Sequence, residues 1–311
     1  MTDTQNEVFK TPVNKIRLFE HGAPGSQNFK LTRKYYTEDM PDGRVKHIVQ
    51  NITDPDIVPY IPDGIGNSTD RQRIPAVLII PGGAFRRLVY NFEGEDVAKW
   101  LNSMGIAAFV LECRLPSDEH DNAEDVPLID AMRAMRVIRG RAQEFGIDEA
   151  KIGVMGFSAL LSTAYESDVY ADYKYKDEYD KLSARPDFAV CSYPVISIDD
   201  CIEAGKRYMS EEQVLERISD SKAKILHKYN PDKLVRPDMP PVFICETDDD
   251  RTTLSENSVG FYMAARKAGV SAELHIFRTG GHGYGWGDDF AQTGEWKVLF
   301  TKWIKSIGII S

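Results

Sequence analysis

The stretch Ile152-Gly153-Val154-Met155-Gly156-Phe157-Ser158-Ala159-Leu160 decides how the rest of the chain is read. Its first four residues form a short apolar run of the kind buried in a sheet. Gly156-Phe157-Ser158 reads as the tight turn that comes next, with a serine at its tip. A strand that feeds a sharp turn and lifts a serine hydroxyl is a nucleophile elbow, usually written Gly-x-Ser-x-Gly. The second glycine normally lets the adjoining helix lie close to the strand. Leu160, followed by Leu161, stands in that place.

Working outward, similar apolar runs recur at Lys46–Ile52, Ala76–Ile80, Ala107–Leu111, Phe188–Ser192, Val242–Cys245 and Glu273–Phe277. Most are continuous rather than alternating, as strands buried on both faces of a parallel sheet are. Amphipathic stretches lie between them. Val97, Trp100, Leu101 and Met104 repeat at i, i+3, i+4, i+7, as do Ala131, Ala134, Met135 and Ile138, and Phe261, Ala264, Ala265 and Ala268. A last stripe runs Trp296, Leu299, Phe300, Trp303, Ile304, Ile307. The alternation predicts a three-layer α/β fold with right-handed crossovers. The first 45 residues read as polar and irregular, an N-terminal extension (1–45) packed on a single domain (46–311). The charged, helix-prone stretch at about 199–237 interrupts the alternation and reads as a small helical cap insertion.

Composition narrows the function. The chain has 311 residues, 42% hydrophobic, enough for one large domain. With 38 basic against 48 acidic residues the net charge is −10 and no Lys/Arg tract relieves it, which argues against nucleic acid and anionic membranes as partners. Met1 to Lys15 has no apolar signal region and no run suits a membrane span, so the expectation is a cytoplasmic protein. Cys113, Cys191, Cys201 and Cys245 are far apart without a Cys-x-x-Cys pair. They read as free thiols rather than a disulfide or zinc framework.

A serine hydroxyl needs a base, and the base an orienting carboxylate. In one known arrangement these come in chain order Ser, Asp/Glu, His, each on a loop after a strand. Val242-Phe243-Ile244-Cys245-Glu246 leads into Thr247-Asp248-Asp249-Asp250, which supplies three candidate acids. Their alternative uses are capping the helix that starts at Ser255 or binding calcium. Glu273–Phe277 leads into Gly280-Gly281-His282-Gly283, a histidine in a glycine-rich turn, unlike His21, His47, His120, His227 and His275. Ile80-Pro81-Gly82-Gly83-Ala84 is a double-glycine turn whose amides suit an oxyanion: Gly83 or Ala84, with Ala159 after the serine.

Pro81-Gly82-Gly83-Ala84-Phe85, Glu93-Gly94, Val97-Ala98-Lys99-Trp100-Leu101, Arg114-Leu115-Pro116 and Asp130-Ala131-Met132-Arg133-Ala134 resemble the esterase/lipase-type α/β-hydrolases of the acetylxylan esterase-like (BD-FAE-like) family. So do Gly153–Ala159, Arg185–Phe188, Tyr193–Ser197, Pro240-Pro241 and Gly280–Gly283. The resemblance covers about Lys46 to the C-terminus. It implies an α/β-hydrolase fold and a triad of Ser158, Asp250 and His282, with Asp249 the fallback acid. It also implies no cofactor, and a small-molecule or oligosaccharide acyl ester as substrate. The family's oxyanion turn carries a third glycine where this chain has Ala84, whose methyl fits there at negative φ. The family's elbow continues Ser-Ala-Gly-Gly-His, where this chain reads Ser158-Ala159-Leu160-Leu161-Ser162. The leading expectation is a serine esterase that deacetylates carbohydrate. The alternatives are a catalytically impaired hydrolase-fold protein and a prolyl-oligopeptidase-type peptidase.

Overall fold

The computed structural model describes residues 9, 14–28, 31–40, 42–64, 73–118, 120–121, 123–158, 177–207, 210, 212–214, 235–287 and 292–311. Among them lie strands β1 (Ile16–Arg17), β2 (Lys34–Asp39), β3 (Val45–Gln50), β4 (Asp56–Tyr60), β5 (Ile74–Ile80), β6 (Leu88–Val89), β7 (Ala107–Glu112), β8 (Ile147–Phe157), β9 (Ala189–Ser192), β10 (Val242–Thr247) and β11 (Ala272–Phe277). The helices are α1 (Asp96–Ser103), α2 (Val126–Gly140), α3 (Ala142–Phe145), α4 (Ile198–Lys206), α5 (Ser255–Lys267) and α6 (Trp296–Ser306).

Eight strands form one sheet in the order β1-β4-β7-β5-β8-β9-β10-β11. Along that order every pairing from β7 to β11 is parallel, and the two pairings β1–β4 and β4–β7 are antiparallel. β7, β9 and β10 are buried at every residue, which is why their sequences are largely unbroken apolar runs. Helices α1, α2, α5 and α6 pack on the sheet. Trp296, Phe300 and Trp303 of α6 are buried, and the rings of Phe300 and Trp303 pack against Phe243 of β10. This is the α/β-hydrolase fold. No helix among the described residues is long and apolar enough to cross a membrane.

The register of the parallel strands sets where their ends fall. Ile80 pairs with Gly156, Phe157 with Ser192, Cys245 with Ser192 and Thr247 with Phe277. The C-terminal ends of five parallel strands therefore finish side by side, and their loops converge at the usual place for a site in such sheets.

The N-terminal part departs from its reading. The stretch read as Lys46–Ile52 is no member of the parallel sheet: β3 belongs to a separate antiparallel sheet in the order β2-β3-β6. β2 itself lies in the segment read as irregular. Its sequence Lys-Tyr-Tyr-Thr-Glu-Asp is only half-buried and lacks an apolar run. β4 is hidden in sequence by Pro55 and Pro59, which an antiparallel strand near the sheet edge tolerates.

Buried charges staple the early chain down. The fully buried Arg114 side chain meets the fully buried Asp130 at 2.7 Å and also donates to Ser26 Oγ at 2.8 Å. Lys15 and Arg33 both reach Glu112, at 2.6 and 2.7 Å. In the cap stretch the backbone of α4 and residues 207, 210, 212–214 and 235–237 are described; the remainder of 199–237 lies outside the described residues.

Candidate active site

Ser158 comes directly after the last residue of β8, with its N–H donating to Ser192 O at 3.0 Å. Its φ is +59°, a left-handed conformation that non-glycine residues rarely adopt. Ser158 Oγ lies 2.9 Å from His282 Nε2. His282 Nδ1 lies 2.7 Å from Asp250 Oδ2, so one hydrogen-bonded chain connects a serine to residues 92 and 124 positions further along the sequence.

The three neighbouring aspartates divide their work. Asp250 is buried and accepts from Thr252 N and Thr253 N at 2.7 and 2.9 Å and from Thr253 Oγ1 at 2.9 Å. Burial works against its charge, but the hydrogen bond and charge of His282 and the two amides outweigh it, and its carboxyl sits below the usual value. Asp249 Oδ1 accepts from Gly280 N and Gly281 N at 2.9 and 2.8 Å, bracing the histidine turn from outside. Asp248 Oδ1 accepts from Ser255 Oγ at 3.3 Å. None of the three caps α5, whose preceding residue is Leu254 with no side-chain cap bond. Among the described residues no His, Cys, Asp or Glu cluster could hold a metal ion.

The double-glycine turn lies against the serine. An added Cβ at Gly82 would sit 2.6 Å from Phe157 O and 3.0 Å from Ser158 Cβ, so only glycine allows this approach. Gly83 has φ +141°, and a Cβ there would meet Arg87 O at 2.0 Å. Ala84 does not meet the condition under which its methyl is tolerable: its φ is +57°, not negative, and Phe85 comes next at +61°. Arg86 N closes the turn onto Gly83 O at 3.2 Å, with both central residues at positive φ as in type I′ geometry. Among the described residues, five non-glycines have positive φ, and four of them, Ala84, Phe85, Ser158 and Tyr193, surround this site. Such concentration of backbone strain is typical of functional sites.

Ser158 and His282 open into a cavity of about 200 Å³, walled by Gly83, Phe85, Phe92 and Val195, with Lys46 and Arg87 at its edge. Its lining includes a residue to which the sequence reading assigned no role. Glu93, in the π-helical turn Asn91–Glu95, accepts from Gly82 N at 2.7 Å and from Tyr193 OH at 2.8 Å. Burial pushes its carboxyl above the usual value, against the opposing pull of those two bonds. The clue available in sequence is Tyr193, a polar aromatic at the C-terminal end of a buried strand. Thus the structure brings Ser158, Asp250 and His282 together with Gly83 and Ala84, while Ala159, Leu160 and Leu161 lie outside the described residues. Chemically, the arrangement can take a proton from Ser158 Oγ onto His282 Nε2 while Asp250 holds the ring.

The BD-FAE family model matches residues 65–264. The chain is 30% identical over 234 residues to an acetylxylan esterase of Xylanibacter ruminicola, covering 75% of this chain and 45% of that protein. It is also 30% identical over 260 residues to endo-1,4-beta-xylanase B of Butyrivibrio fibrisolvens, covering 80% and 40%. The chain therefore spans less than half the length of these curated relatives. Among solved structures, the acetyl ester-xyloside bifunctional hydrolase from Caldicellulosiruptor lactoaceticus is 34% identical, with 96% of this chain and 97% of that chain covered and a TM-score of 0.71. The Thermogutta terrifontis esterase Est2, at 22% identity, 84% and 92% coverage and a TM-score of 0.66, shares the fold. On the match over residues 65–264 and the full-length likeness at 34% identity, the chain belongs to the BD-FAE family.

Proposed function

We propose that this protein is a serine carboxylic-ester hydrolase that removes acetyl groups from acetylated carbohydrate. The observation that carries the reading is the chain Ser158 Oγ–His282 Nε2–Nδ1–Asp250 Oδ2, at 2.9 and 2.7 Å, at the mouth of a small cavity. The acetylxylan esterase relative and the acetyl ester-xyloside hydrolase neighbour support the substrate class.

In this reading Ser158 Oγ attacks the ester carbonyl carbon as its proton passes to His282 Nε2. The carbonyl oxygen becomes negative and takes hydrogen bonds from the amides of Gly83 or Ala84 and of Ala159. The C–O bond to the sugar then breaks, and His282 gives its proton to the departing hydroxyl. Water attacks the acyl-enzyme with His282 as base, the acid leaves, and Ser158 recovers its proton. Asp250 keeps the ring in the required tautomer and stays ionised. A cavity of about 200 Å³ suits a short acyl group. No cofactor takes part in this scheme. The catalytic unit is residues 46–311, to which the described N-terminal residues add β1 in the main sheet and β2 beside β3.

Purified protein should hydrolyse p-nitrophenyl acetate and release acetate from acetylated xylo-oligosaccharide, and a fluorophosphonate should label Ser158. Ser158→Ala should remove all three signals. Activity that survives the substitution would sink the assignment.

A further inference from the structure

Between the oxyanion turn and the histidine loop runs a buried polar connection that the triad scheme does not use. Gly82 N–H donates to Glu93 Oε2 at 2.7 Å. Tyr193 O–H donates to Glu93 Oε1 at 2.8 Å, and Gly285 N–H donates to the Tyr193 oxygen at 3.0 Å. Each link ends at a functional segment: Gly82 immediately precedes the Gly83-Ala84 turn, and Gly285 lies three residues after His282. Tyr193 presents its ring edge-on to His282, with centroids 5.1 Å apart at 68°.

The backbone around these side chains is arranged to hold them there. Tyr193 itself is at φ +39°, and Val195 N donates to Ser158 O, so the loop after β9 is tied to the serine as well. Glu93 is 5% exposed and Tyr193 wholly buried, which leaves water little access to compete for either. Glu93 projects from a π-helical turn, a rare device that is frequently met at functional sites. A carboxyl placed among these loops at the cost of its own hydration needs a reason. Its two oxygens meet two donors that belong to opposite sides of the reaction centre.

We propose that Glu93 is a positioning residue which, through Tyr193, sets the oxyanion turn and the histidine loop at a fixed separation across Ser158. The proposal rests on the esterase reading above. Removing Glu93 leaves the triad residues in place but lets the turn drift relative to the serine. A misplacement near 1 Å in such a site costs on the order of 10²-fold in rate. The loss falls on kcat, because the turn's donors matter most once the oxyanion has formed.

Wild type, Glu93→Ala, Glu93→Gln, Tyr193→Phe and the Glu93→Ala/Tyr193→Phe double variant test this, each assayed with p-nitrophenyl acetate, by fluorophosphonate labelling and by thermal melting. Glu93→Ala should lower kcat by about 10²-fold with KM within a few-fold, at temperatures well below its melting transition. Glu93→Gln should recover most of that loss: its amide oxygen still accepts from Gly82 and its NH2 can donate to the Tyr193 oxygen, with a residual loss because the Tyr193 hydroxyl hydrogen then has no acceptor on residue 93. Tyr193→Phe should lower kcat by less than Glu93→Ala, and adding it to Glu93→Ala should cost nothing further. If Glu93→Ala fails to fold, Glu93→Gln and Tyr193→Phe still decide the matter, by a kcat loss in Tyr193→Phe clearly larger than the residual loss in Glu93→Gln. A kcat for Glu93→Ala within threefold of wild type, or losses that track melting temperature alone, overturns the inference and leaves the esterase reading intact. A wild type that neither turns over ester nor labels overturns both.

Discussion

Asp249 and Asp250 are adjacent in the chain and hold opposite sides of one histidine loop. Asp250 Oδ2 takes the ring nitrogen Nδ1 at 2.7 Å, while Asp249 Oδ1 takes the Gly280 and Gly281 amides at 2.9 and 2.8 Å. Two carboxylates one residue apart point to different parts of the loop and so have separable roles. Asp250→Asn should lower kcat by about 10⁴-fold, as when a catalytic histidine is left in the wrong tautomer. Asp249→Asn keeps an acceptor for both amides and should cost a small fraction of that. Parallel kcat measurements on one acetate ester check the pair, and equal losses would refute the division of labour.

The double-glycine turn offers a contrast between neighbours. Gly83→Ala drives a methyl to within 2.0 Å of Arg87 O at φ +141°, so it should lower both activity and melting temperature. Ala84→Gly should do the opposite to stability. Left-handed geometry costs an L-residue roughly 1 kcal/mol, and Ala84 sits at φ +57°. The glycine variant should melt at or above the wild-type temperature, by calorimetry. A drop of the size seen for an ordinary Ala→Gly change would show that the turn is not strained.

Stability against pH has two opposed contributors near the N-terminal sheet. Burial pushes the His120 imidazole down to about 4, so it favours the fold fully above its unfolded value of 6.5 and loses that contribution as pH falls from 6.5 toward 4. Burial pushes the Asp118 carboxyl up to about 6, so protonation favours the fold and stability is gained as pH falls from 6 toward 3.8. The two contributions run in opposite directions over overlapping pH ranges. Melting curves at pH 7 and pH 5 should therefore show a steeper acid-side fall for Asp118→Asn than for wild type, and a shallower one for His120→Asn. The reverse ranking would contradict the assignment.

The Arg114–Asp130 pair is the structural member most sensitive to truncation. Both side chains are fully buried, and Arg114 also holds Ser26 of the N-terminal segment. Arg114→Ala strips the buried Asp130 carboxyl of its guanidinium and leaves it the residue 114 amide, at a cost of about 3–5 kcal/mol by denaturant titration. The double variant Arg114→Met/Asp130→Leu should lose less than the sum of the single changes, because no charge is then stranded. Additive losses would mean the two groups act independently.

Much of this molecule is legible one segment at a time. The strands Ala76–Ile80, Ala107–Leu111 and Val242–Cys245 declare themselves because burial on both faces removes the alternation that a half-exposed strand would show. β2 stays hidden for the converse reason: its residues are half-buried and its partners are β3 and, beyond it, β6. The cysteines Cys113, Cys191 and Cys245 read as buried thiols and are buried. Glu93 could be noticed only as part of a family-like motif, since its partners Tyr193 and Gly82 lie 100 and 11 residues away.

Residue order alone establishes the succession of the chemistry-bearing segments: glycine turn, serine turn, aspartates, histidine turn, each placed after a run that had to be buried. Those are local properties, set by apolar periodicity and by the few residues that accept a tight turn. Which aspartate faces the histidine, that Ala84 is held at positive φ, and that Glu93 joins two loops beneath the serine are settled only in three dimensions. Hydrogen-bond partners are chosen by sheet register, which brings Ile80 beside Gly156 and Phe157 beside Ser192, and no window along the chain contains that information.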